Sequence, residues 1–268
     1  MASHLSCIGV NVSSKLEFNG VAKIVARHGV PHPVSGGSYV RWGSGDGPEL
    51  WVQLGPTGDI NGMNPHYAGD ARIRLRLLES VRRESQTDLD GAWLATEDPP
   101  SRGAAGQARP ADEPSTGLSP RPLRADATSQ AFCFDCPDFF LSQPGAEVGQ
   151  RGTTESAEHE VQLAAFPERI AIYTDVATYE SASPRGTPVE TFCADCPADK
   201  ASLVRLSGRI LEADQRINPL YNQLFHRALV QTVGGTVDVV CADSLARKPF
   251  LKDGVVEGLF WLSGRVLS

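Results

Sequence analysis

The chain has 268 residues, 41% of them hydrophobic and 21% charged, enough apolar material for a packed core in one large or two modest domains. Its formal net charge is −7, and no basic tract stands out, so nucleic acid and anionic membrane surfaces are poor partners for it. No apolar run approaches the roughly 20 residues of a membrane span. The N-terminus lacks a basic stretch leading into an apolar one, so a cytoplasmic, reducing location is expected.

Leu5 to Val12 is expected to be a short apolar strand. Ser14-Lys15-Leu16-Glu17 has capping-box spacing and opens an amphipathic helix with Leu16, Val21, Ile24 and Val25 on its apolar side. Gly29 and Pro31 end that helix. Ser38 to Trp42, a glycine-rich turn and Glu49 to Leu54 form a hairpin pattern, and a loop through Asn61 to His66 follows. Arg72 to Leu77 alternates with period two, three arginines on one face and three aliphatics on the other.

From about Glu97 to Ser129 the chain turns to Pro, Ala, Gly, Ser, Arg and Asp, which predicts a disordered connector or long surface loop. Beyond it the sequence is β-rich. Strands are expected over Val161 to Phe166, Ile170 to Thr174, Val189 to Phe192, Leu203 to Leu211 and Val255 to Leu267. Phe225 to Val233 and Thr236 to Cys241 form a hairpin around Gly234-Gly235. Leu206-Ser207-Gly208-Arg209-Ile210-Leu211 returns as Leu262-Ser263-Gly264-Arg265-Val266-Leu267, and the two strands are expected side by side at the seam of a small antiparallel barrel. The expected fold class is therefore α+β. A βαβββ module spans 1–96, the connector 97–129, and a predominantly antiparallel β domain 130–268.

The sharpest chemical signal is a repeat. Phe132-Cys133-Phe134-Asp135-Cys136-Pro137 recurs as Phe192-Cys193-Ala194-Asp195-Cys196-Pro197. A Cys-x-x-Cys turn aims two sulfurs at one point, so Cys133, Cys136, Cys193 and Cys196 can form a four-thiolate zinc site. Two unrelated structural pairs, or redox chemistry, are the alternatives. The intervening segment exceeds the roughly 15–20 residues of a compact zinc ribbon, but each doubling of a loop costs only about 0.6 kcal/mol. Such a closed shell would be structural. Cys7 and Cys241 stand alone in apolar patterns and are expected in the core.

Other chemistry is more diffuse. Glu49, Trp51 and Gln53 share one face of their strand, a carboxylate, an indole and an amide suited to lining a pocket. The Arg72, Arg74 and Arg76 row, about 7 Å per step, would receive an anion or pair with carboxylates on a neighbouring strand. His66, in Asn64-Pro65-His66-Tyr67, is the most site-like histidine, either for acid–base work or as a turn residue. His226 is expected on a strand face. Gly43-x-Gly45-x-Gly47 is no dinucleotide fingerprint, since its third glycine comes too early.

Two stretches carry a family resemblance: Cys7 to Val12 leading into the Glu17–His28 helix, and Ser38 to Trp42 through the glycine turn to Trp51. Together they resemble one module of the glyoxalase/bleomycin-resistance (vicinal oxygen chelate) superfamily. The resemblance implies a cavity completed by a second module or a homodimer. It implies a metal-dependent lyase or dioxygenase using His4 or His66 with Glu49, although Cys7 stands where metal-using members present a histidine. The Gly258 to Arg265 run resembles a bacterial protein family that brings no function with it. Three functions stay open: binding or sensing of a small molecule on a polar concave sheet, that metal-dependent enzyme, and an interaction protein with a zinc-clamped β core.

Overall fold

The computed structural model describes residues 4–43, 45–82, 89–97, 131–142, 158–183, 188–193 and 202–267. The expected connector at 97–129 lies outside them, save for Glu97. The described chain is mostly β: thirteen strands, two α-helices and one 3₁₀ turn. The expectation of an α+β fold led by a βαβββ module is corrected by this content.

The first element is not a strand. His4–Ile8 is a 3₁₀ turn, and Leu5, Cys7, Ile8 and Val10 are all buried. Burial on every side has no period of two, and Gly9 then turns the chain with φ of +73°. A side chain at Gly9 would meet the Gln223 carbonyl at 2.7 Å, so the run is wedged as a plug against neighbouring strands.

Helix α1 (Lys15–His28) starts where the capping pattern placed it. Ser14 Oγ accepts from the Glu17 amide at 3.2 Å, while the Glu17 carboxylate accepts from the Ser13 amide at 2.8 Å, one residue earlier than in a standard capping box. Gly29 closes the helix. The buried stripe is Val21, Ala22 and Val25; Leu16 and Ile24, expected on that face, are exposed.

Strands β1 (Val30–Val34), β2 (Gly37–Trp42), β3 (Gly47–Leu54) and β4 (Ile60–Ala68) form a four-stranded antiparallel sheet in chain order. The β2–β3 hairpin was legible. The Asn61 to His66 segment, expected as a loop, is instead the edge strand β4. An edge tolerates Pro65, whose missing N–H withdraws no ladder bond from a further strand. Pro31 and Pro33 blunt the opposite edge.

The second sheet has nine strands: β5 (Ile73–Arg82), β6 (Gly91–Glu97), β7 (Phe132–Asp135), β8 (Glu158–Tyr173), β9 (Thr191–Cys193), β10 (Leu203–Asn218), β11 (Gln223–Thr232), β12 (Gly235–Ala242) and β13 (Val255–Leu267). The short helix α2 (Val176–Ala182) follows β8. The two strands expected over 161–174 are one 16-residue strand, β8. It pairs antiparallel with β13 along almost its whole length, from Glu160↔Leu267 to Tyr173↔Val255. That long ladder is shared by two rings of pairings. One runs β8–β5–β6–β7–β13, the other β8–β12–β11–β10–β13. The barrel-like closure thus recruits β5 and β6, from before the connector, and includes two parallel contacts, β12–β8 and β13–β7. It is not an antiparallel barrel of C-terminal residues alone.

Alternation then sorts the side chains. Along β13, Val256, Phe260 and Leu262 point into the main apolar core with Leu75, Phe134, Leu163, Val204 and Val239. Gly264 lies on the same inward side, where a Cβ would come within 2.5 Å of Phe134 and 2.6 Å of Leu163. The repeated hexapeptides do lie on neighbouring strands, β10 and β13, but they are not aligned: Ser207 faces Glu257, not Ser263.

Candidate functional site

The odd-numbered residues of β13 face outward, and the N-terminal sheet covers half of that face. Leu50 and Val52 of β3 join α1 and the 3₁₀ turn in an apolar cluster that continues onto Ala164, Phe166 and Val240. The other face of β3 carries Glu49, Trp51 and Gln53, as its alternation required. All three are buried. The row is therefore packed over rather than open. Gln53 Nε2 donates to Asp90 Oδ1, which also accepts from Asn64 at 3.3 Å.

Glu49 is the centre of this polar layer. Its carboxylate accepts from Trp51 Nε1 at 2.9 Å and from Arg41 at 3.5 Å, and Arg265 Nη1 of β13 lies 3.7 Å away. Burial pushes the Glu49 carboxyl above its usual range, and the Arg265 charge draws it back. Both guanidiniums stand over the Trp51 ring, Arg41 at 5.8 Å and Arg265 at 5.2 Å from its centre. The His32 ring lies 5.7 Å from the same indole. Arg41 and Arg265 keep about a quarter of their side-chain surface exposed, 26% each, so the layer reaches solvent at this edge. Two buried nitrogens there, Arg41 Nε and His32 Nε2, have no hydrogen-bond partner among the described residues.

Arg265 also donates from Nε to Asp138 Oδ2 at 3.0 Å. Asp138 Oδ1 in turn accepts from the Cys136 thiol at 3.2 Å, and Ser142 Oγ lies 3.1 Å from the same sulfur. Burial and the Asp138 charge hold that thiol well above its ordinary pKa.

His66 sits beside Glu49 in the β3–β4 register, wholly buried. Nε2 lies 2.6 Å from Gln162 Oε1 and Nδ1 lies 2.9 Å from Ser263 Oγ. Gln162 Nε2 donates to the Tyr67 carbonyl, which fixes the amide orientation. Nε2 therefore carries the proton and Nδ1 accepts from Ser263. Burial lowers the His66 pKa to about 3, leaving the ring neutral. With both nitrogens engaged, His66 offers no free lone pair to a metal, and it bridges the two sheets.

The remaining sequence candidates are scattered. His4 stacks on Trp261 with ring centres 4.4 Å apart and bonds Glu168 at 3.0 Å, on a different stretch of β13. Arg74 and Arg76 lie on β5, in the other sheet from Glu49, and Arg72 stands directly before that strand; the aliphatics between them are buried, as expected. Arg72 pairs with Glu160 of β8 at 3.6 Å, and Arg74 faces Glu160 in register. Cys133 and Cys136 are buried. Cys193 is described in backbone only, ending β9, and Cys196 lies outside the described residues. The two hexapeptides do approach: the Phe132 and Phe192 rings lie 4.4 Å apart. Among the described residues, no group of three or more His, Cys, Asp or Glu side chains is placed to hold a metal. Cys7 and Cys241 are core residues, as expected.

Sequence reasoning found Glu49, Trp51 and Gln53 but missed Arg41, Arg265, Asp138 and His32. Arg41 was findable, because it opposes Trp51 across the hairpin. Arg265 comes from the far end of the chain and Asp138 from its middle, and neither carries a local signal.

No family model, curated protein or solved structure matches the chain. No helix among the described residues is long and apolar enough to cross a membrane.

Proposed function

We propose that this chain binds a small, acceptor-rich molecule, a carboxylate or carbonyl compound, at the solvent edge of the polar layer where Arg41, His32 and Trp51 meet. The observation that carries this reading is the pair of unsatisfied buried nitrogens, Arg41 Nε and His32 Nε2, around one indole. A buried donor without an acceptor costs about 1–3 kcal/mol, and a ligand oxygen would recover that. Arg265 reinforces the positive edge, while Glu49 behind it keeps the arginines in place.

The test is a thermal-shift and calorimetric screen of small carboxylates and amides, with native mass spectrometry of the purified protein to catch a retained molecule. Binding at this edge should weaken more than tenfold in Arg41→Gln and in His32→Leu. A ligand whose affinity ignores both substitutions removes the site, as does a screen without any saturable binder.

A second reading, a structural zinc clamp built on the two cysteine hexapeptides, is favoured by the Phe132–Phe192 contact, which brings their first residues together. It requires about one zinc per chain in metal analysis, lost with Cys133→Ser and with Cys193→Ser. Zinc-free protein of unchanged stability in both variants ends it.

A further inference from the structure

The outward face of β13 continues past the part that the N-terminal elements cover. Arg265, Ser263 and Trp261 are met by Glu49, His66 and His4. Among the described residues, no element of the N-terminal sheet covers the next two outward residues, Leu259 and Glu257. Here the surface dips into a groove of about 300 Å³ lined by Arg169, Ile170, Ala171, Arg205, Glu257, Gly258 and Leu259.

Register explains its charge pattern. Leu259 opposes Arg205 on β10 and Arg169 on β8, so one row across three strands reads Arg169–Leu259–Arg205. With strands about 4.8 Å apart, the two arginine backbones stand roughly 10 Å from each other. Both side chains are exposed, and among the described residues neither has an ion-pair or hydrogen-bond partner. Two acidic groups beside them are already engaged: Glu168, next to Arg169 in the chain, is bonded by His4, and Glu257, one row along, accepts from the Tyr173 hydroxyl at 3.3 Å. Gly258 adds no side chain between the rows.

We propose that this groove is a second binding site, for a small organic dicarboxylate that places one charged end on each guanidinium and its aliphatic middle over Leu259. Two guanidiniums on neighbouring sides of an apolar floor suit two separated carboxylates better than one compact anion, and Glu257 disfavours an anion centred in the groove. The site is independent of the polar layer behind Glu49, because it uses none of the same side chains.

The experiment is calorimetric titration at low salt with the straight-chain dicarboxylates from malonate to adipate, against propionate and inorganic phosphate. At least one dicarboxylate should bind saturably, at least tenfold more tightly than propionate or phosphate, and should weaken at least tenfold in Arg169→Gln and in Arg205→Gln. Arg209→Gln, which removes an outward arginine already paired with Asp253 at 2.6 Å, should leave that affinity unchanged. Arg41→Gln should also leave it unchanged, which separates this site from the first. Absence of binding across the series, phosphate binding as tight as the best dicarboxylate, or binding indifferent to Arg169 and Arg205 would each overturn the proposal.

Discussion

His66 Nδ1 accepts a 2.9 Å hydrogen bond from Ser263 Oγ, joining the small sheet to the last strand of the large one. The bond exists only while the imidazole is neutral; burial enforces that state, and the Gln162 amide on the other side fixes Nε2 as the protonated nitrogen. This gives the protein a defined acid sensitivity. The folded-state pKa of about 3 lies below the ordinary value of 6.5. Between those values the unfolded chain binds a proton that the folded chain does not, so stability is full above pH 6.5 and declines as pH falls toward 3. The expected slope is up to about 1.4 kcal/mol per pH unit from this one group. Denaturant titrations at pH 7 and pH 5 measure it, and His66→Gln should lose this component of the slope. An equal change from pH 7 to pH 5 in the wild type and in His66→Gln would contradict a buried neutral ring.

Glu97 makes the opposite prediction. Its carboxyl stands at the end of β6 with a buried oxygen that no described residue bonds, and burial raises its pKa to about 7. The folded state then holds a proton that the unfolded state has released, from about pH 4.5 to 7. Stability is lost as pH rises through that window. Glu97→Gln should stabilise the protein at pH 8 by about 1–2 kcal/mol after solvent screening, with little effect at pH 4.5. Equal melting temperatures of the two proteins at pH 8 would refute the assignment.

Glu49→Gln should be costly. It removes the carboxylate that Arg41 and Arg265 share inside the polar layer, and breaking a buried ion pair costs about 3–5 kcal/mol when no partner remains. Asp138 still holds Arg265, so about 2 kcal/mol is expected here. Arg74→Ala, on the exposed face of β5, should change stability by less than about 0.5 kcal/mol. Denaturation midpoints of the two variants, compared at constant m-value, decide this.

Two glycines should respond with opposite sign. Gly264→Ala pushes a methyl into Phe134 and Leu163 and should destabilise by about 1–3 kcal/mol. Gly20→Ala, inside α1 with open space around it, should stabilise by about 0.5–1 kcal/mol through helix propensity. Thermal melts of both would show the contrast, and a stabilising Gly264→Ala would mean that the barrel interior is looser than its packing implies.

Period-two alternation made β5, the β11–β12 hairpin and β13 legible, because each buries one face and a one-residue slip would turn its apolar set outward. The α1 start was legible because Ser14 and Glu17 act within one turn. The 5–12 run misled for the converse reason: it is apolar on every side, and nothing local separates a buried strand from a wedged 3₁₀ plug. The closure of two rings on one β8–β13 ladder, the partners of Glu49, the neutral state of His66 and the bare arginine pair across Leu259 were decided only by tertiary structure. Each depends on residues far apart in the chain meeting across sheets, and contacts of that kind leave no spacing to read.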